Sequence, residues 1–362
     1  MTTRDTAEHL AATARHFPEL LGGITARDLL DLVRAELGHE DALDDFQPYA
    51  GHRARAFGPR VILHIVSGNT PHAGLQSLLR GLLLKSHNLC KIPSGGLPEI
   101  ARVRDALPEP LRSRIEISSD LPGDWMDRTD AVIVFGSDET VEQCRLMSRA
   151  NQRFVGHGHR VSFGAVLDDP GCESAPFAAR DASLFDQRGC LSPQAFYVRE
   201  TGTLTALAYA EALAREMDAF NRHKPRGALT PAEAAAIENF RGSYEFLAAN
   251  DPHVRVWKSE GSTAWTVICL HDAGFRASCL NRVVFVQPLP VDPAPALAQV
   301  RPWLGTIGVW PATEENCRAM SHLGATRVCA IGRMQSPPLA WHHDGWQTLA
   351  PLVRWVDIEP AR

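Results

Sequence analysis

The chain of 362 residues lacks most of the short motifs that identify a reaction at sight. There is no GxxxxGK[ST] loop, which excludes a P-loop nucleotide triphosphatase, and there is no HExxH and no GxSxG. No GxGxxG follows a strand-like run, and Gly156-His157-Gly158 lacks the third glycine, so the ordinary dinucleotide fingerprint is missing. None of the eight cysteines is spaced CxxC, leaving a zinc knuckle and a redox dithiol without support. Basic residues do not exceed acidic ones (37 against 42, formal charge −5), and no basic block suggests a nucleic-acid partner. Apolar runs fall short of the ~20 residues a membrane-spanning helix needs. The start, MTTRDTAEHLAATARHF, is an acid-containing helical pattern, unlike a signal peptide. These absences lead us to expect a cytoplasmic protein without a membrane span. Composition is that of a globular chain, 44% hydrophobic and 22% charged, and long enough for two domains.

Residues 1–45 read as two helices, the second starting at Thr25 with Asp28 three residues on and apolar positions Leu29, Leu30, Val33 and Leu37. Strand-like Val61–Val66 then meets the breaker Ser67-Gly68-Asn69-Thr70-Pro71, followed by a helix with Leu75, Leu78, Leu79, Leu82 and Leu83 at helical spacing. A strand NLCKIP, a helix over Pro98–Leu107, a weak strand Ile115–Ile117 and a strong one Ala131–Phe135 continue the alternation. Gly136-Ser137 opens the next helix. Strand-helix alternation predicts a parallel sheet covered on both faces, with ligands at its open end. Beyond residue 160 we expect a helix at 181–187, a strand Ala195–Val198, helices near 203–218 and 230–249, and five further strands, forming a second α/β domain. The predicted division is 1–160, 161–335 and a tail 336–362 that returns to the first domain or makes an oligomer contact.

Four places have the residue types for chemistry, each with a plain structural alternative. Cys190, between Gly189 and Pro193, can present a thiolate nucleophile at a turn, or be buried filler. Asn69, after a buried strand, can aim amide donors at an oxyanion, or cap the next helix with Thr70. Lys91 ends a strand before Pro93-Ser94-Gly95-Gly96 and can reach a ribose or phosphate, or simply be solvated. Gly136-Ser137 can bind phosphate through helix-start N–H groups. His157 with His159, and His342-His343-Asp344, tempt a metal reading, but without a clear third ligand we assign no metal and expect hydrogen bonding.

Taken in order, ILHIVSGNTPHAGLQSLLRGLLLKSHNLCKIPS, VIVFGSDETV, GHRVSFGAV, FDQRGCLSPQAFYV, GRMQSPPLAWHHDG and LVRWVDIE resemble the LuxC-type acyl-CoA reductases, a branch of the aldehyde dehydrogenase superfamily. The resemblance runs through most of the chain and implies an aldehyde dehydrogenase-like α/β fold: two α/β domains with a nicotinamide-cofactor cleft between them. It implies that Cys190 attacks a thioester carbonyl while Asn69 and the Cys190 N–H hold the oxyanion. It assigns Ser67, Gly68, Lys91, Ser94, Gly136 and Ser137 to the cofactor, with Arg282 or Asn281 approaching the nicotinamide ribose.

Two departures bear on the reaction. Hydrolytic aldehyde dehydrogenases carry a water-activating glutamate in a Glu-Leu-Gly-Gly stretch, and the stretch compared with it here is Ser162-Phe163-Gly164-Ala165. Loss of that base favours acyl reduction. Ser94 and Gly95 stand where an acid would face the ribose 2′-hydroxyl, so NADPH is allowed, with NADH as the other possibility. The expected reaction is reduction of an acyl-CoA or acyl-carrier-protein thioester to an aldehyde by a homo-oligomer. The alternatives are an acyl phosphate as donor, or a Cys190 acyltransferase or thioesterase that transfers no hydride.

Overall fold

The computed structural model describes residues 1–359. Two units emerge from the packing of the chain. The first comprises Met1–His159 and the segment from Pro338 onward, and the second comprises Arg160–Pro337.

In the first unit the amino-terminal helices Thr3–Ala14 and Ala26–Leu37 each begin with a reciprocal capping box, Thr2 with Asp5 and Thr25 with Asp28. Strands β1 (Gln47–Tyr49) and β2 (His52–Phe57) follow. The parallel sheet is then built from β3 (Val61–Ile65), β4 (His87–Lys91), β5 (Ile115–Ser118), β6 (Ala131–Phe135) and β7 (Arg153–His157), in the order β5-β4-β3-β6-β7. All four ladders are parallel. The chain lays down β4 and β5 on one side of β3, then places β6 and β7 on the other. That reversal opens a crevice at the carboxyl ends of β3 and β6, where open α/β sheets take their ligands. The helix Pro71–Leu83 starts on a proline at its first turn and buries Leu75, Leu78, Leu79, Leu82 and Leu83, the positions at helical spacing in the sequence.

Between the helix Pro71–Leu83 and β4 lies a polar knot in the apolar core. The His64 imidazole is fully buried, with Nδ1 2.8 Å from Ser77 Oγ and Nε2 3.0 Å from Asn88 Oδ1. Asn88 Oδ1 can only accept, so Nε2 carries a proton. Burial lowers the imidazole from 6.5 to about 4, the bond to Asn88 acting in the opposite sense. The unfolded chain therefore takes up a proton near the ordinary imidazole range while the folded one does not. Stability is complete above that range, falls as pH drops toward about 4, and levels off below it, a loss of roughly 3 kcal/mol for this group. Amide-proton exchange of β3 and β4, followed against pH and corrected for intrinsic rates, should show protection declining through that window. Constant protection would be the contrary result.

A third element of the first unit was not legible in the sequence. β2 pairs antiparallel with β1 on one side and with β15 (Arg354–Ile358), from the end of the chain, on the other. Its inward residues are only Ala54 and Ala56, alternating with Arg53 and Arg55, so the period-two pattern carries almost no apolar signal. The returning segment is held by Glu36, whose carboxylate accepts the N–H groups of Thr348, Leu349 and Ala350 and the Thr348 hydroxyl.

The second unit is a seven-stranded sheet. Its strands are β8 (Val161–Val166), β9 (Pro193–Val198), β10 (Arg255–Lys258), β11 (Thr266–Cys269), β12 (Val283–Pro288), β13 (Leu304–Trp310) and β14 (Arg327–Ala330), in the order β10-β11-β12-β9-β8-β13-β14. Only the β10–β11 ladder is antiparallel. β8, β9 and β11 are buried along their whole length and β12 everywhere but at Pro288, the pattern of a sheet covered on both faces. The helices Ala206–His223 and Pro231–Asn250 fall where the sequence predicts them. The helix expected at 181–187 is Ala175–Ser183 instead, followed by a tight turn over Leu184–Gln187. Among the described residues, no helix is long and apolar enough to cross a membrane.

Candidate active site

Cys190 sits on the turn leading into the amino end of β9, in the second unit. It is the one exposed cysteine of the eight, none of which is in a disulfide. Burial pushes the thiols of Cys90 and Cys269 up to about 12 and those of Cys279 and Cys329 up to about 11, and it also raises Cys144, Cys172 and Cys317. Because thiolate is the reactive form, iodoacetamide near neutral pH should label one site per native chain, Cys190, with the other thiols roughly tenfold slower or more. Peptide mapping after a timed pulse measures this, and comparable labelling of a second cysteine would contradict it.

The turn is held from three directions. From upstream, the buried Gln187 carboxamide donates to the carbonyls of Pro193 (2.9 Å) and Val283 (2.8 Å) and accepts the Val283 N–H (2.9 Å). From below, Ser162 Oγ donates to the Cys190 carbonyl at 2.8 Å and accepts the Thr306 N–H at 3.1 Å. β8 slips register against β9 between Ser162 and Phe163, and β13 carries its irregularity between Leu304 and Ile307, so the hydroxyl fills a gap in the ladder. From downstream, Gln335 Nε2 joins Ser192 Oγ (2.9 Å) to the Asp181 carbonyl (3.0 Å). The Asp181 carboxylate accepts the N–H groups of Gly332 and Met334, and burial raises it to about 6.

Two left-handed stretches without glycine meet beside this turn: Phe185, Asp186 and Gln187 (φ 54°, 51° and 61°) and Leu280, Asn281 and Arg282 (φ 62°, 55° and 67°). Such residues cost on the order of 1–3 kcal/mol each and persist only where their surroundings over-determine them. Here Arg282 pairs with Asp186 at 2.8 Å, and Arg188 Nε donates to Asn281 Oδ1 at 3.1 Å. This revises the expectation for Arg282. Its side chain is 1% exposed and its two terminal nitrogens bond Asp186, Asn221 and the Lys224 carbonyl, so it braces the turn upstream of Cys190 and presents no face to a ribose. Asn281, the other residue considered there, is also buried, its carboxamide oxygen on Arg188. Nothing in composition or spacing marks either stretch.

The remaining candidates lie in the first unit at the carboxyl ends of its parallel strands. Ser67, Gly68 and Asn69 form the bend after β3. Thr70 is the N-cap residue of the helix Pro71–Leu83 but makes no side-chain cap bond. Asn69 is exposed, and its carboxamide makes no hydrogen bond among the described residues, so the capping alternative does not apply. Lys91 is the last residue of β4, and Ser94 and Gly95 are exposed in the turn closed by Gly96 N–H to the Pro93 carbonyl. Gly136 follows β6, and a Cβ there would stand 3.1 Å from two carbons of Thr140, so helix and strand approach closely. Ser137 caps the helix Asp138–Met147, its Oγ accepting the Thr140 N–H. The carboxyl-end edge of the sheet thus carries Asn69 after β3, a helix N-terminus at Gly136-Ser137 after the adjacent β6, and Lys91 one strand away at the end of β4. That donor set fits a dinucleotide: N–H groups for a pyrophosphate, and an ammonium for ribose or phosphate.

His157, His343 and Asp344 come together at the end of β7, with their ligating atoms within 4.8 Å of one another. His159 and His342 are not part of the group. His157 Nδ1 lies 2.8 Å from Asp344 Oδ2, and the rings of His157, Phe135 and His343 cluster with centroids 4.7 Å (His157–Phe135), 4.1 Å (His157–His343) and 5.8 Å (Phe135–His343) apart. Rings 21° from parallel send their in-plane lone pairs side by side, where a metal needs them to converge. The group reads as a stacked, hydrogen-bonded clasp between β7 and the returning carboxyl-terminal segment.

Comparison with known proteins gives the family and the fold. The family model described as acyl-CoA reductase (LuxC) matches residues 7–355. A long-chain acyl-protein thioester reductase of Aliivibrio fischeri is 24% identical over 359 residues, covering 91% of this chain and 70% of that protein. One from Photorhabdus laumondii is 25% identical over 360 residues with the same coverage. Among solved structures, a putative methylmalonate-semialdehyde dehydrogenase from Sinorhizobium meliloti 1021 complexed with NAD superposes with a TM-score of 0.74 at 10% identity, covering 100% of this chain and 87% of that one. An NAD-dependent benzaldehyde dehydrogenase from Corynebacterium glutamicum gives 0.67 at 13% identity, covering 99% and 86%. The fold is that of the aldehyde dehydrogenases, and the chain belongs to the acyl-CoA reductase (LuxC) family of oxidoreductases.

Proposed function

We propose that the protein reduces an acyl thioester, carried by CoA or by a carrier protein, to an aldehyde through a covalent acyl-enzyme on Cys190, with NADPH as the preferred reductant. The observation that carries this reading is the Cys190 turn: the chain's one exposed thiol, braced from three sides by buried polar groups. The Cys190 sulfur attacks the thioester carbon, and the carbonyl pair moves onto oxygen, where Asn69 and the Cys190 N–H receive it. The C–S bond to the carrier breaks, and the departing thiol takes its proton from solvent. A nicotinamide cofactor, held by Ser67, Gly68, Lys91, Ser94, Gly136 and Ser137, supplies the hydride when bound. The resulting oxyanion re-forms a carbonyl by expelling the Cys190 thiolate, and the aldehyde departs.

Two features support reduction over hydrolysis and NADPH over NADH. The residue of β8 that touches the Cys190 turn is serine, with no carboxylate to activate water. No acid stands at Ser94 or Gly95 to repel a 2′-phosphate. The relatives' description as acyl-protein thioester reductases makes a protein-bound acyl donor the one to set beside acyl-CoA. The test is the intact mass of the protein mixed with an acyl-CoA or an acyl-carrier protein, before and after NADPH. One acyl adduct that disappears on adding NADPH, with aldehyde in solution, is the expected result. An adduct indifferent to NADPH would point to an acyltransferase. No adduct with either donor would direct attention to an acyl phosphate.

A further inference from the structure

We propose that the backbone N–H of Leu191, aimed by Ser162, is a further donor to the oxyanion formed at Cys190. The inference rests on the reading of Cys190 as nucleophile and concerns the second unit alone. A trans peptide holds its C=O and N–H antiparallel, so fixing one fixes the other. The Gly189 carbonyl accepts the Ser192 N–H at 3.0 Å, which closes the turn and directs the Cys190 N–H away from it. The Cys190 carbonyl accepts the Ser162 hydroxyl at 2.8 Å, which points it into the sheet and turns the Leu191 N–H outward. The Leu191 N–H makes no hydrogen bond among the described residues.

The means of support shows what is being positioned. A surface turn needs no buried anchor, yet here a fully buried serine stands at a register slip of β8, its hydroxyl ordered by the Thr306 N–H at 3.1 Å and donated to one carbonyl. That chain of bonds orients the single peptide between Cys190 and Leu191. When the Cys190 sulfur bonds to the thioester carbon, the carbonyl pair shifts to oxygen, and donors already aimed there need no reorganisation. The pair returns as the carrier's C–S bond breaks, the carrier sulfur leaving with its electrons and gaining a solvent proton. Leu191 acts through its N–H alone, and Ser162 is a positioning residue.

The experiment replaces the Leu191 amide by an ester, installing the α-hydroxy analogue of leucine in the full chain, so that the N–H is lost while the Cys190 carbonyl remains as a weaker acceptor for Ser162, whose loss the Ser162→Ala variant measures separately. Two rates are compared with those of the unsubstituted protein: Cys190 acylation by an acyl-CoA, and Cys190 alkylation by iodoacetamide, a displacement at saturated carbon that forms no oxyanion. Acylation should fall by about 10²-fold with alkylation unchanged. Ser162→Ala, which frees the same peptide, should give a smaller loss with the same split. Unchanged acylation in the ester variant would overturn the proposal. So would an equal fall in both rates, which would mean that the amide supports the thiol and not the oxyanion. If the unsubstituted protein is alkylated but never acylated, the nucleophile reading itself fails and this proposal with it.

Discussion

Cys190→Ala should reduce acyl-thioester reduction to the uncatalysed background and remove the acyl adduct from the intact-mass spectrum, while the thermal unfolding transition stays within a few degrees of the parent. The activity loss is expected to be complete because covalent catalysis has no partial substitute. Without the sulfur no thioester forms for the hydride to reduce, and alanine offers nothing to attack the carbonyl. The small stability effect follows from exposure, since surface substitutions usually change stability by only about 0.5 kcal/mol. The bonds that brace the turn run through the Cys190 carbonyl, Gln187 and Ser192, none of which the substitution alters. A Cys190→Ala protein retaining measurable turnover would move the nucleophile elsewhere. The other seven thiols are poor substitutes, all less exposed and all pushed upward by burial.

The first unit was largely readable because its strands are buried, β-branched runs closed by turn residues. Ala131–Phe135 is a strand of the same bounds in sequence and structure, and the leucine periodicity of 71–83 matches the face that packs. The antiparallel sheet of β1, β2 and β15 escaped because alanines supply its inward face and because its third strand lies some three hundred residues away. In the second unit the strands were again legible, but the device around Cys190 was not. Left-handed backbone at Phe185–Gln187 and Leu280–Arg282 falls on residues that give no local sign of it, and the two stretches are tied to each other by the Arg282–Asp186 ion pair. The burial of Arg282 has the same cause. An arginine opening a strand reads as a cation on offer, and only the ion pair with Asp186 and the bonds to Asn221 and Lys224 reveal that it is already used.

The two units also place their candidate residues at opposite ends of their strands. In the first, Asn69, Lys91 and Gly136-Ser137 follow β3, β4 and β6, as the rule for open parallel sheets requires. In the second, Cys190 precedes β9, and its anchors come from the starts of β8 and β12. The difference is chemical. A cofactor crevice uses backbone N–H groups and helix N-termini, which parallel strand-helix connections present at the carboxyl ends. A nucleophile on a turn needs carbonyls pinned from beneath, and the register slip at Ser162 provides that at an amino end.

Asn69→Ala should lower the rate of Cys190 acylation by 10²–10³-fold, the cost of one preorganised oxyanion donor, with little change in cofactor affinity. The side chain has no structural bond to lose, since its carboxamide is exposed and unpaired among the described residues, and the adjoining helix does not depend on it for a cap. Folding should therefore be unaffected, which keeps the measurement interpretable. Asn69→Asp separates the donor from its shape: it preserves size but replaces the amide N–H donors with a carboxylate that repels an oxyanion, so it should be at least as slow as Asn69→Ala. Single-turnover acylation resolved by rapid quench, with cofactor binding measured separately by fluorescence, distinguishes this from a binding defect. A loss confined to cofactor affinity would reassign Asn69 to the cofactor alongside Ser67 and Gly68, whereas unchanged rates and affinity would leave the oxyanion to the backbone donors at Cys190 and Leu191.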